Sequence, residues 1–231
     1  MIVGANGGFI TVSNAKFFGI LAIIIIAVVG GALFFTRSNG KNNDVKPADV
    51  AKVTKADYVQ GNPEAKVTLI EYGDFQCPYC GAVYPVLKEV LPEYKKDVRF
   101  VFRHFPITSI HPNSLVAHKA AEAAAEQNKF WEMHDKIYGN QAAWSSSTEP
   151  IKIFEGYAKD LKLNLDKFKK DFKDTATIDR INKVKGAGSA AGVESTPTLF
   201  INGKKMDSPR SSDELRQKLD DAIKQIKSEK K

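Results

Sequence analysis

A strand pattern that runs almost directly into a helix start is the clearest fold signal in this chain. Residues 66–72 (KVTLIEY) are few, apolar and rich in β-branched side chains, which predicts a buried strand. A helix is predicted to begin at Cys77 and to continue through VYPVLKEVLPEY, with a bend at Pro85. Residues 98–104 (VRFVFRH) alternate and predict a second strand. The folded part of the chain therefore opens with strand, helix and strand.

A helical block, a hairpin and a last helix are predicted to follow. Helix-forming composition and helical spacing dominate the block, which we place at about residues 107–192. Residues 198–201 and 204–206 flank Asn202-Gly203, a dipeptide typical of a two-residue hairpin turn. A closing helix is expected over residues 212–228. The predicted fold class is therefore α/β, a mixed β-α-β…β-β-α sheet with helices on both faces and a helical insertion.

An apolar stretch precedes this domain. Residues 17–35 (FFGILAIIIIAVVGGALFF) carry no charge and as a helix would cover roughly 28 Å, close to the ~30 Å hydrocarbon core of a bilayer. A cleaved signal peptide is the alternative, although the stretch is longer than a typical signal core of ~7–15 residues. We expect an N-terminal segment (1–16), a single-pass transmembrane anchor (17–35), a polar linker (36–57) and a folded domain (58–231).

The flanking charges leave the orientation of this anchor open. Lys16 lies on one side, and Arg37, Lys41 and Lys46 lie on the other, which by positive-inside counting places the domain in the cytoplasm. The chemistry expected of the two cysteines in the domain favours the opposite side, with the domain outside the cell membrane.

Composition excludes several functional classes. The 231 residues include 34 Lys+Arg and 27 Asp+Glu, a net charge of +7, and 43% are hydrophobic, as in a globular protein. Only two cysteines are present, so a disulfide scaffold and a four-cysteine metal site are both excluded. No nucleic-acid-binding motif accompanies the positive charge, and we expect no nucleic acid partner.

The chemistry is expected at Cys77-Pro78-Tyr79-Cys80. Two intervening residues at a helix start place both sulfurs on the first turn, close enough to form a disulfide. Unpaired N–H groups and the helix dipole favour an anion at Cys77, and Pro78 suits the first helical position. Such a setting lowers a thiol pKa from ~8.5 into the ~3.5–7.5 range and makes the thiolate reactive toward disulfides. Cys80 is expected to be more buried and to act as the resolving thiol.

Zinc binding and a purely structural disulfide are the alternatives. Histidines would have to complete a zinc site, but His104, His111, His118 and His134 lack the usual H-x(3–5)-H spacing, and we expect no metal. A disulfide ring this small constrains little of the unfolded chain, so stabilisation is a poor reason for it. We expect no cofactor other than a redox-active Cys77–Cys80 disulfide.

Three ordered motifs carry a family resemblance: GNPEAKVTLIEYGDFQCPYC (61–80), FRHFP (102–106) and STPTLFING (195–203). Together they resemble the DsbA-like branch of the thioredoxin-fold disulfide oxidoreductases. The resemblance implies a thioredoxin-like fold, a nucleophile at Cys77, a resolving Cys80, and a cis Pro197 beside Thr196 in the substrate groove. It also implies extracytoplasmic disulfide donation to cysteine-containing secreted or membrane proteins, with reoxidation by a membrane quinone-linked thiol oxidase.

Two residues bear on how such a site is tuned. Strongly oxidising relatives carry Pro-His between the cysteines, whereas this chain has Pro78-Tyr79, and a tyrosine adds no positive charge beside the thiolate. Glu71 matches a buried acid of the family that relays the proton of the resolving cysteine, unless it faces solvent at the strand end. Three functions stay open: a disulfide oxidase, a reductase or isomerase with the same site, and a non-enzymatic chaperone or metal-carrier module.

Overall fold

The computed structural model describes Val50 and residues 52–229. The predicted α/β architecture with a mixed sheet is confirmed. The strands are β1 (Tyr58–Gly61), β2 (Val67–Gly73), β3 (Val98–His104), β4 (Thr198–Ile201) and β5 (Lys204–Met206). The helices are α1 (Pro78–Val90), α2 (Ser114–Ala125), α3 (Phe130–Gly139), α4 (Gln141–Trp144), α5 (Pro150–Asp160), α6 (Leu165–Lys173), α7 (Thr175–Ala190) and α8 (Ser212–Ser228).

The five strands form one sheet in the order β1-β3-β2-β4-β5. β2 and β3 are parallel and are joined through α1, whereas the other three pairings are antiparallel. All seven residues of β2 are buried, because this central strand is covered on both faces. The end of β2 therefore delivers the chain into α1 from the middle of the sheet, where the two cysteines lie.

Two apolar clusters cover the faces of the sheet. The larger contains Leu69 of β2 and the buried sides of α1, α8 and the helical insertion. The smaller contains Ile70 and Tyr72 of β2 together with Phe105 and Phe200. Because side chains alternate along a strand, Glu71 points to the same face as Leu69, toward α1. This alternation brings a carboxyl group under the reactive helix.

The segment before β1 contacts the domain, although the sequence places it in a linker. The guanidinium of Arg103 donates to the carbonyls of Val50 and Lys52, at 2.9 and 2.8 Å, and pairs with the carboxylate of Asp57. Val50 is buried in the smaller apolar cluster. A polar composition does not reveal this packing, because one arginine on a distant strand provides most of the polar contacts.

The expected N-terminal segment (1–16), the transmembrane anchor (17–35) and most of the linker lie outside the described residues. Within the part of the chain that the structure describes, no helix combines the length and the hydropathy needed to cross a bilayer.

Two glycines of α7 provide a matched test of how this helix packs on the sheet. A Cβ atom on buried Gly188 would lie 2.6 Å from Cε1 of Tyr72, whereas one on exposed Gly186 would meet no atom within 4 Å. We expect Gly188→Ala to lower the free energy of unfolding by about 1–3 kcal/mol through overpacking. Gly186→Ala should raise it by about 0.5–1 kcal/mol, because alanine favours a helix. Urea unfolding measures both values, and equal effects of the two substitutions would contradict the packing described here.

Candidate active site

Cys77 caps the reactive helix. It has extended backbone angles (φ −67°, ψ 123°), Pro78 occupies the first helical position, and the Cys77 carbonyl accepts the Gly81 N–H at 3.0 Å. The proline lacks the N–H that a first-turn residue would leave unpaired, which suits it to this position. Cys77 is 4% exposed and Cys80 is fully buried, in the order that the sequence predicts.

Asp74 organises the turn before the cysteines. One carboxylate oxygen accepts hydrogen bonds from the Gln76 N–H at 2.9 Å and the Ser114 hydroxyl at 2.5 Å. The other accepts from the Ile107 N–H and pairs with Nδ1 of His111, both at 2.8 Å. Four bonds to one buried carboxylate fix the path of the chain into α1.

The helical insertion also contacts this turn. Nε2 of Gln141 donates to the carbonyls of Phe75 at 2.7 Å and Cys77 at 2.9 Å. The Gln76 side chain also binds two residues of the insertion: it donates to the Ser145 carbonyl and accepts from the Asn113 N–H. The carbonyl groups on either side of Gln76 therefore have donors that belong to another part of the fold.

The sulfur of Cys77 lies in a setting that favours the thiolate. As a thiol it donates to the Thr196 carbonyl at 3.3 Å. A hydrogen bond from the Cys80 thiol lowers the pKa of Cys77 to about 5, against the opposing effect of burial, with further help from the Thr196 hydroxyl and backbone N–H groups of the first turn. The Thr196 hydroxyl is buried and has no hydrogen-bond partner among the described residues, so it is available to the sulfur.

The pKa values of Cys80 and Glu71 shift in the opposite direction, upward. Burial raises the pKa of Cys80 well above its ordinary value, and the hydrogen bond to Cys77 and the charge of Glu71 raise it further. Burial and the charge on Cys77 raise the pKa of Glu71 to about 8. Glu71 is 2% exposed, so the reading of this residue as a solvent-facing acid at a strand end is wrong. Two cysteines with opposite pKa shifts beside a protonated carboxyl form an arrangement suited to thiol exchange.

Thr196 and Pro197 border the reactive sulfur, and their peptide bond is cis, as the resemblance implies. Tyr79 is 77% exposed on the first turn of α1, and in the described residues only Ile110 is a comparably exposed large apolar side chain, at 68%. Ile110 belongs to the loop that Asp74 binds through Ile107 and His111. The roles of Thr196, Pro197, Pro78 and Tyr79 in tuning and substrate binding remain predictions.

The histidines lie in a buried polar network. Nε2 of His104 pairs with the Glu122 carboxylate at 2.8 Å, and Nδ1 of His104 faces Nδ1 of His118 at 2.5 Å. His111 pairs with Asp74. Across Val50 and residues 52–229, no group of three or more His, Cys, Asp or Glu side chains has the arrangement of a metal site.

Sequence reasoning missed two residues of this site, Asp74 and Gln141. The Asp74-Phe75-Gln76 turn suggests a local side-chain bond by composition, which is a usable signal for Asp74. Gln141 carries no local signal, because helical spacing indicates that a side chain is buried and not what it contacts.

The chain matches the protein family described as thioredoxin over residues 53–221. Among curated proteins it is 42% identical to Na(+)/H(+) antiporter NhaA 3 of Salinispora tropica over 159 residues, which cover 69% of this chain and 24% of the antiporter. It is 30% identical to Na(+)/H(+) antiporter NhaA of Herminiimonas arsenicoxydans over 194 residues, or 81% of this chain and 30% of that one. The chain thus spans about a quarter of the length of the curated relatives it matches.

Solved structures share the fold. Wolbachia pipientis alpha-DsbA1 is 20% identical with a TM-score of 0.69, covering 80% of this chain and 100% of its own. BdbD from Bacillus subtilis is 22% identical with a TM-score of 0.63, covering 74% and 94%. A thioredoxin-like oxidoreductase from Silicibacter pomeroyi DSS-3 is 23% identical with a TM-score of 0.64, covering 77% and 96%.

Proposed function

Because this chain belongs to the thioredoxin family, we propose that it is a thiol-disulfide oxidoreductase that donates a Cys77–Cys80 disulfide to cysteine-containing proteins. The observation that carries the proposal is the opposite shift of the two thiols. The pKa of Cys77 falls to about 5 and that of Cys80 rises well above its ordinary value. The names of the antiporter relatives describe chains about four times as long as the matched part, so they carry no argument about ion transport here.

The proposed reaction has two exchanges. A client thiolate attacks Sγ of Cys77, the Cys77–Cys80 bond breaks, and its electron pair stays on the sulfur of Cys80. A second client thiolate then attacks the client sulfur of the mixed disulfide and releases Cys77 as a thiolate. The low pKa of Cys77 makes it a good leaving group in this second step. The client gains one disulfide and the protein is left with two reduced cysteines.

Glu71 is proposed to tune this exchange. Its carboxyl group has a pKa of about 8 and is therefore protonated at neutral pH, so that it can supply a proton to the sulfur of Cys80. The cost of burying this acid is consistent with a proton-transfer role, because buried titratable groups with perturbed pKa values concentrate at functional sites.

The setting of the protein in the cell is part of the same proposal. The apolar stretch at residues 17–35 supports a single-pass anchor in the cell membrane, and disulfide donation requires an oxidising compartment outside it. A membrane quinone-linked thiol oxidase is the proposed reoxidant. Secreted or membrane proteins with reduced cysteines are the proposed clients.

The equilibrium of the cysteine pair with glutathione tests the direction of the reaction. Stabilising the Cys77 thiolate stabilises the reduced protein and makes its disulfide more oxidising. We expect a potential between the about −270 mV of thioredoxin and the about −120 mV of the strong oxidant DsbA. Tyr79→His, which adds a group able to carry positive charge beside the thiolate, should move the potential toward the oxidising end. A wild-type potential at or below that of thioredoxin would instead indicate a reductase.

A further inference from the structure

The hydroxyl of Tyr138 is a buried polar group with no hydrogen-bond partner among the described residues. The side chain is 4% exposed and belongs to α3, in the helical insertion. Nearly all buried hydroxyl groups in proteins are paired, so an unpaired one requires an explanation. Both cysteines are reduced in this structure, so it shows the hydroxyl with a Cys80 thiol and not with the thiolate that disulfide cleavage produces.

Gly73 shows what this hydroxyl faces. A Cβ atom on Gly73 would lie 2.9 Å from the Tyr138 oxygen and 3.0 Å from Oε1 of Glu71. Both oxygens therefore border one small space that only a glycine leaves open. The hydroxyl of Tyr138 and the carboxyl group of Glu71 come from different parts of the fold and border this same space at the end of β2.

The ring of Tyr138 also packs against α1. It stacks on Tyr84, with ring centroids 5.3 Å apart and an angle of 21° between the planes. Tyr84 follows Cys80 by four residues, so the two side chains lie on one face of the helix. The ring of Phe75, just before the cysteines, lies 4.8 Å from that of Tyr138 on another side.

The pKa of the Tyr138 hydroxyl agrees with a position near Cys80 and Glu71. Burial raises the pKa of Tyr138 well above its ordinary value, and negative charge on Cys80 and Glu71 raises it further, with the sulfur of Cys80 close enough to accept from the hydroxyl once that sulfur is charged. The hydroxyl therefore remains protonated and can donate whenever that sulfur is a thiolate.

We propose that the Tyr138 hydroxyl donates a hydrogen bond to the Cys80 thiolate and passes to it the proton of the Glu71 carboxyl group. The inference rests on the proposed disulfide exchange. When a thiolate attacks Cys77, the S–S bond breaks and its electron pair stays on Sγ of Cys80. The Tyr138 proton moves to that sulfur while the Glu71 proton moves to the Tyr138 oxygen. The products are a Cys80 thiol and a Glu71 carboxylate, with no reactant beyond the attacking thiolate and the protein disulfide.

The test compares Tyr138→Phe with Tyr84→Phe in the full chain. Tyr84 belongs to the same aromatic stack, but its hydroxyl donates to the Asp135 carbonyl at 3.4 Å, so its loss removes a hydroxyl and leaves the proposed path intact. Dithiothreitol reduces the oxidised proteins from pH 5 to 10, and alkylation after acid quenching gives the rate. At pH 6–7 we expect Tyr138→Phe to be about tenfold slower than Tyr84→Phe, the usual effect of losing a hydrogen bond to a charged group.

The pH profile separates proton transfer from packing. As the pH rises through the raised pKa of Glu71, its carboxyl group ionises and has no proton to pass, so the ratio of the two rates should fall toward the part that the hydrogen bond to the Cys80 thiolate alone contributes. In the double variant with Glu71→Gln, the reaction should be no slower than in the slower single variant, because both substitutions interrupt one path. Equal rates for the two tyrosine variants, or a ratio independent of pH, would overturn the inference.

Thermal unfolding provides the control for folding. If Tyr138→Phe unfolds under assay conditions, 3-fluorotyrosine at position 138 takes its place, because it keeps the ring and the hydroxyl and lowers the pKa of the hydroxyl. The inference then requires the ratio of its rate to that of Tyr84→Phe to change with pH. Failure of this inference leaves the wild type exchanging disulfides through Cys77. Failure of the proposed function instead shows as a wild-type protein that exchanges none.

Discussion

Cys77→Ser is expected to stop disulfide transfer to a reduced client, with a loss of more than about 1000-fold that leaves only the uncatalysed rate. The substitution removes the only sulfur that has a lowered pKa and lies at the edge of the first turn of α1. The measurement is the rate at which a reduced, unfolded protein with two cysteines gains its disulfide when mixed with the oxidised full chain. Mass spectrometry after acid quenching and alkylation counts the thiols.

Cys80→Ser is the matched control for this experiment. It keeps a single cysteine and cannot form its own disulfide, so it is mixed with a client that already has one. Cys77 can attack that client, and the reaction should stop at a mixed disulfide that no second protein thiol releases. Oxidation of the client by Cys77→Ser at the wild-type rate would contradict the mechanism. So would a mixed disulfide formed through Cys80.

Alkylation of Cys77 by iodoacetamide is expected to reach half of its maximal rate near pH 5, because only the thiolate reacts. At pH 7 a thiol with this pKa is about 99% ionised, whereas an ordinary thiol with a pKa of ~8.5 is about 3% ionised. The rate should therefore rise with pH through about 5 and be flat from pH 6.5 to 8. A thiolate with a lower pKa is also a weaker nucleophile. The pH midpoint of alkylation therefore reports the pKa of Cys77, whereas the plateau rate does not.

The same alkylation measurement identifies the cause of the low pKa of Cys77. The hydrogen bond from Cys80 is its largest cause, so Cys80→Ala should move the alkylation midpoint to higher pH. Cys80→Ser retains a donor at that position and should move it less. A wild-type midpoint above pH 8 would show that Cys77 is an ordinary thiol and would remove the basis of the proposed exchange.

Features set by neighbouring residues were predictable from the sequence. Asn202 and Gly203 have positive φ values of 49° and 80°, as the hairpin turn requires, and the strands on either side end where the pattern indicates. The hydroxyl of Ser211 accepts the Glu214 N–H at the start of α8. The reactivity of the cysteine pair was equally predictable from the sequence, because it depends on the spacing of two residues and on the start of one helix.

Features that join distant segments were not predictable. β1 pairs with β3 at the edge of the sheet, and its four residues carry no strong strand pattern. Within the helical block predicted at about residues 107–192, the structure separates α2 from α3 at Asn128, where φ is 57°, and composition does not show this break. The position of Glu71 under α1 depends on which face of β2 meets that helix, and alternation alone does not say which face that is.

The side chain of Gln141 reaches back 66 and 64 positions along the chain to the carbonyls of Phe75 and Cys77. A shortened protein made of the sheet, α1 and α8 alone would keep both cysteines and lose the donors that orient the peptide groups in front of them. Chimeras between relatives should therefore take the reactive turn and the insertion from one parent. In this architecture, recombination points belong outside the interval that separates those two segments.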